Sequence, residues 1–231
     1  YKHTTMGFLK DIEDMPNQYE YSLKFFDRWY RPENSVLVVA GDVKPDGVVE
    51  LAKKYYGPWK KGAATLAAPR DEAQAGERKA HIDWKNPTLP YLVLAWHVPA
   101  FAPDSLEDRS LDVLAAAAFS ETSPLYKDLV LDKQWVESLR AGHDEHRDPY
   151  LFTLLARVKD QSKTGAVREA IDAALAKLGK EPLAAERIAA VKSNIRYSFL
   201  AGLDTPGSVA ETIASFVELT VGDPDVADVN P

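Results

Sequence analysis

The apolar positions of this chain follow two periods, and the elements change where the period changes. Across residues 17–31 the large residues Tyr19, Leu23, Phe26 and Tyr30 recur at helical spacing and form one stripe. Asn17 followed by Glu20 has the form of a capping box. Pro32 ends the helix, because proline has no amide to donate and pushes Arg31 toward extended backbone. Residues 35–40 (SVLVVA) are apolar without alternation, the pattern of a strand covered on both faces. Gly41-Asp42 breaks the run. A second helix is predicted from Pro45 to Tyr56, with proline at its first position and Gly57-Pro58 as its stop. One strand alone leaves its amides and carbonyls without a ladder. A missing segment, the second domain or another chain is therefore expected to complete the sheet, with upstream sequence the preferred source.

Residues 62–77 (GAATLAAPRDEAQAGE) lose periodicity and read as an interdomain linker, the alternative being a long surface loop. Strand patterns then appear at 78–84 and 91–98, joined through Asn86-Pro87 and Pro90. A helix is predicted over 104–118, with Leu106, Leu111, Leu114 and Ala118 on one side, and a shorter one over 123–132. Residues 136–146 and 150–159 read as a strand pair around Asp148-Pro149. Three helices follow: one with Val167, Ile171, Ala174 and Leu178 on a face, one with Ile188, Val191, Ile195 and Phe199, and one over 208–220. Paired strands followed by helices predict an α+β fold with a mainly antiparallel sheet. The terminal GDPDVADVNP is polar and is expected to fray, or to precede a further helix.

Composition narrows the functional classes. Of 231 residues, 45% are hydrophobic, which is enough for a core. The net charge of −7 repels phosphate backbones and argues against general nucleic-acid binding. No apolar run approaches the roughly 18 residues that span a bilayer. Cysteine is absent, which removes disulfides, thiolate nucleophiles and cysteine-based metal sites. The first residue is Tyr1 with no signal peptide after it, so a processed or partial chain is expected.

Four segments, in this order, resemble the pitrilysin/insulinase family of zinc metallopeptidases, which includes the mitochondrial processing peptidase and bacterial relatives. YKHTTMGFLKDIEDM (1–15) is similar to a stretch in which a His and a Gly precede an acidic element. RWYRPENSVLVVAGDV is similar to the family's "yYrPnnavLvvvGDv" signature. LPYLVLAWHVPAFAPDSLEDRSLDVLAAA resembles the opening of its second domain, and TSPLYKDLV resembles its "SSrLyk-LV" helix. The resemblance implies two homologous-type α+β domains, one half of a metalloprotease clamshell, with the first only partly present. Residues 1–61 would be the latter part of the first, catalytic-type domain, 62–77 the linker, and 78–231 a noncatalytic second domain, expected to be truncated at its C-terminus. The family's zinc is held by HxxEH and a distant Glu, and the motif's Glu activates a zinc-bound water. None of these has a match in this sequence.

Some family domains that face the zinc carry an Arg and, seven residues later, a Tyr that hold substrate and stabilise the oxyanion. The corresponding positions here are Val130 and Glu137, an aliphatic and an acid, which cannot do this. The resemblance therefore implies part of a zinc-dependent metalloendopeptidase that hydrolyses peptides in a closing chamber. This chain would supply chamber wall and would be inactive alone. The alternative is a noncatalytic scaffold or partner subunit. Zinc is expected in the parent and not in this chain. The implied partners are a peptide or unfolded polypeptide substrate and the missing N-terminal segment or a second family subunit. Periplasm and cytoplasm both fit, with the resemblance leaning toward periplasm.

No catalytic, metal or substrate-binding residue is assigned. His143 and His146 in HDEHRD are the one cluster that suggests a metal, yet in a strand i and i+3 point to opposite faces, so a surface hairpin is expected. His97 is expected to be partly buried with a partner and His81 to be structural, while His3 is expected near the cleft of the intact enzyme. Ser120 and Ser123 lack a G-x-S-x-G elbow. Gly41-Asp42 reads as a turn rather than a phosphate loop, because Lys44-Pro45 starts a helix directly. The acidic Asp11, Glu13 and Asp14 read as a solvated loop or the start of a helix.

Overall fold

A computed structural model of the chain describes residues 7–62 and 73–220. These form two compact units. One holds the described residues up to His81 together with Thr205–Ala214, and the other holds residues 82–204 and those from Ser215 onward.

The first unit is built from short helices: α1 (Leu9–Glu13), a 3-10 turn (Met15–Asn17), α2 (Tyr19–Trp29) and α3 (Pro45–Tyr56). The capping box expected at Asn17 is absent. Asn17 lies in the 3-10 turn and donates to Asp14 Oδ1, and Gln18 occupies the N-cap without a side-chain capping bond. Pro16 explains the shift, since it favours a tight first turn and delays the α-helix. The stripe on α2 forms as expected from its spacing, with Phe26 stacked on Tyr30 at 4.6 Å. None of α1, α2 or α3 buries a residue. The run 35–40 is extended but joins no sheet, and Val36, Leu37 and Val39 are exposed. The expected doubly covered strand is thus an extended segment with bare faces, because no described residue offers it a ladder.

In the second unit, β1 (Tyr91–Val98), β2 (Val136–His143) and β3 (Tyr150–Val158) form a three-stranded antiparallel sheet in the order β1-β3-β2. Leu94 pairs with Leu154 and Trp96 with Phe152, so alternate residues of the central strand meet apolar partners on one face. A bulge between Val136 and Ser138 resets β2, after which Leu139, Ala141 and His143 stand opposite Ala156, Leu154 and Phe152. The strand expected at 78–84 is not one. The segment has no ladder, and Ile82 and Trp84 are exposed. The prolines at 87 and 90 fix φ and remove two amide donors, which disfavours a hairpin there.

Among the described residues of this unit, helices cover one face of the sheet. α4 (Leu106–Phe119) contributes Ala117, Ala118 and Phe119, and α6 (Thr164–Leu178) contributes Val167 and Ile171. Between α4 and β2, a helical turn α5 (Pro124–Tyr126) runs into a π-helical turn over Lys127–Asp132 that buries Leu129 completely. Each such aliphatic contributes about 1.5–3 kcal/mol of apolar burial. α7 (Ala185–Gly202) lies beside α4, with Arg187 Nη2 donating to Thr122 Oγ1 at 2.9 Å. α8 (Pro206–Leu219) ends the described chain. The α+β expectation, mixed helices with an antiparallel sheet, holds.

Candidate functional site

The first turns of α4 and the end of the β2–β3 hairpin together carry a dense group of ionisable side chains. Ser105 caps α4 by accepting from the Asp108 amide. Asp108 and Asp112 are four residues apart, so helical geometry places both on the face toward β2. His143, the last residue of β2, falls on the core face by the alternation that the bulge sets. Its ring is almost wholly buried (3% exposed), with Nε2 3.5 Å from Asp108 Oδ1 and Nδ1 3.7 Å from Asp112 Oδ1. Asp108 is equally buried and also accepts from the Ala102 amide. The expected surface hairpin is thereby corrected: the turn is a hairpin, but His143 lies beneath it.

Arg109 fastens the same corner from the other side. It donates to Glu145 Oε1 at 3.2 Å and to the Pro103 carbonyl, and its guanidinium lies 5.3 Å from the centre of the Phe101 ring. The Phe101 amide donates to the His146 carbonyl, and the His146 ring meets Tyr150 edge-on. Burial raises the carboxyl of Asp112 above its ordinary range, with His143 and Arg109 opposing and Asp108 adding. Burial likewise raises Glu145, opposed by Arg109 and reinforced by Asp112 and Asp108.

A histidine between two acids suggests general-base chemistry. Here the ring is sealed between sheet and helix, and no substrate atom reaches it. The residues do not fit a metal either. The two carboxyl oxygens approach different nitrogens of the ring, so they do not converge, and among the described residues no group of three or more His, Asp or Glu can hold an ion. The cluster is a clasp between α4 and the hairpin.

The opposite face of the sheet is uncovered by the helices of this unit's core. On it stand Tyr91 and Val93 of β1, both exposed, Thr153, Leu155 and Arg157 of β3, and Arg140 and Gly142 of β2. Glu137 pairs with Arg157 at 2.9 Å, and Arg157 lies over Tyr91, so Glu137 is engaged within the sheet. Val130 is in the π-helical turn and packs against the core. A hollow of about 360 Å³ opens at the Gly142 end of this face. Sequence reasoning missed it, although a glycine inside a strand pattern is a signal for close approach.

The remaining candidates are scattered. His97 is exposed on β1 rather than partly buried, and His81 is exposed in irregular chain rather than structural, because 78–84 forms no strand. His3 lies outside the described residues. Buried Ser123 is the N-cap that accepts from the Tyr126 amide, and Ser120 bonds Thr122. Gly41 has φ +144°, a conformation that favours glycine and makes the turn, and α3 begins at Pro45. Asp11 and Glu13 lie in exposed α1, and Asp14 accepts from Asn17 and Gln18.

Comparison with known proteins adds four findings. The family described as the peptidase M16 inactive domain matches residues 18–195. The zinc protease PqqE of Helicobacter pylori is 26% identical over 221 residues, covering 94% of this chain and 49% of its own length. A solved protease from Helicobacter pylori superposes with a TM-score of 0.82 at 26% identity, over 93% of this chain and 52% of that one. A chain of complex III2 from Candida albicans shares the fold, with a TM-score of 0.73 at 18% identity over 94% and 52%. The chain spans about half the length of each.

Proposed function

Because this chain belongs to the peptidase M16 family, matching its inactive domain, we infer that it is a noncatalytic portion of a zinc metalloendopeptidase of bacterial type. One observation carries the reading: the sheet of the second unit has helices on one face and leaves the other bare, which is the arrangement a chamber wall needs. On this reading peptides or unfolded polypeptides pass over the open face, and zinc is held by residues outside this chain. Residues 1–61 are the end of the first domain, 62–77 the linker and 78–231 the second domain. The bare segment 35–40 is completed by the remainder of the parent or by a second family subunit. The periplasm is the proposed compartment.

The fold likeness to a complex III2 chain favours a second reading, a scaffold or partner subunit. One experiment separates the two. Zinc is measured by elemental analysis, and cleavage of a quenched peptide is followed, for the parent protein and for this chain. The peptidase reading expects about one zinc and turnover in the parent, and neither in the chain. A parent with no turnover in the presence of zinc supports the scaffold, and turnover by the chain alone refutes both.

A further inference from the structure

We propose that the hollow on the open face of the sheet is a binding subsite for an acidic side chain of an extended peptide, with Arg140 as its recognition group. The proposal deepens the chamber reading and rests on it. Three observations converge. First, Gly142 lines the hollow of about 360 Å³, and a Cβ added there would meet nothing within 4 Å, so the backbone of β2 is open to a ligand at this point. Second, the surface around it is mixed: Leu151 and Leu155 offer apolar contact and Thr153 a hydroxyl. Third, the charges on this face divide unequally. Arg157 is committed to Glu137 at 2.9 Å and to the Tyr91 ring, whereas exposed Arg140 makes no ion pair or side-chain hydrogen bond with any described residue.

Charge complementarity selects the occupant. A planar guanidinium offers paired donors that match a carboxylate in geometry and charge. Asp144 closes the opposite end of the hollow and repels an acid placed there, so the acidic side chain is directed to the Arg140 end. An extended backbone suits the site, because alternate peptide side chains then point toward the sheet with the spacing of the strand beneath.

The test uses the 231-residue chain and fluorescein-labelled seven-residue peptides that differ in one central residue, Glu, Gln or Lys, with anisotropy as the readout at low and at physiological salt. The Glu peptide is expected to bind roughly tenfold tighter than the Gln peptide, the size of one charge-assisted contact. Arg140→Gln is expected to erase that preference, Arg140→Lys to keep part of it, and Arg140→Glu to transfer it to the Lys peptide. Gly142→Val narrows the hollow with a residue type suited to strands and is expected to weaken all three peptides together. Thermal melts establish that each variant is folded. Equal binding of Glu and Gln peptides, no binding of any, or a Glu preference that survives Arg140→Gln overturns the proposal. The chamber reading fails separately, through a zinc-loaded parent that cleaves no peptide, and that result leaves the Glu-against-Gln comparison unchanged.

Discussion

His143 can neither be reached nor turned without parting β2 from α4. Both ring nitrogens face acids of α4, and neither makes a hydrogen bond of good geometry. Removing one partner strands the other in a dry site. Asp108→Ala is expected to cost about 2–4 kcal/mol in urea unfolding, because it also abandons the Ala102 amide. The same change made in a His143→Leu background is expected to cost distinctly less, and an unchanged cost would mean that the pair does not interact. Glu145 gives a pH signature. Its carboxyl is raised from an ordinary 4.5 by burial. The folded chain therefore keeps a proton that the unfolded chain releases, and this group's contribution to stability falls as pH climbs from the ordinary value through the raised one. Glu145→Gln removes that fall. The stability of the variant minus that of the wild type should grow across this window and then level off, as measured by urea titrations at successive pH values. Little of the clasp was legible in the sequence. Alternation alone assigned His143 and His146 to opposite faces, but it needed the bulge at Val136/Ser138 to say which face was the core. The Asp108 and Asp112 spacing was visible in the sequence, yet nothing local pointed it at residue 143.

At the scale of elements, the passage from the π-helical turn into β2 concentrates the strain. The Lys133 amide donates to the Asp128 carbonyl and the Trp135 amide to Leu129, and the chain turns at Gln134 with φ +52°. An L-residue in that region costs about 1–2 kcal/mol, while glycine loses about 0.5–1 kcal/mol of backbone entropy on ordering. Gln134→Gly is expected to raise stability by up to about 1 kcal/mol, and a loss instead would show that the Gln134 side chain contributes more than its backbone costs. Leu129, fully buried in the same turn, is expected to lose about 2–5 kcal/mol on truncation to alanine. Thermal or urea melts check both. The helices were legible because their apolar spacing repeats over three or more turns, as in α6 and α7. The π-helical turn was read only as a short helix, since its wider ring changes no residue type. The strands read at 91–98, 136–146 and 150–159 form, over 91–98, 136–143 and 150–158, whereas 78–84, read the same way, pairs with no described residue.

The whole molecule is asymmetric in what it buries. The second unit has a continuous core from Leu94 to Ile171, while the helices of the first unit bury nothing and its most apolar run, 35–40, lies bare. A run that reads as a doubly covered strand and is found extended and uncovered among the described residues is an apolar surface of the kind that neighbours cover. Hydrogen exchange can decide whether that is so. The amides of residues 36–40 make no backbone hydrogen bond to a described residue, so in this chain alone they are expected to exchange at nearly the rate of an unstructured peptide, while β3 at the centre of its sheet exchanges slowly. On the proposed reading of a longer parent that completes this sheet, the same amides are expected there to be slowed by orders of magnitude, because ladder pairing would tie their release to the unfolding of the sheet. Fast exchange at 36–40 in both proteins would show that the segment is an exposed connection. That result would count against the proposal that residues 1–61 are the end of a first domain whose sheet includes this run.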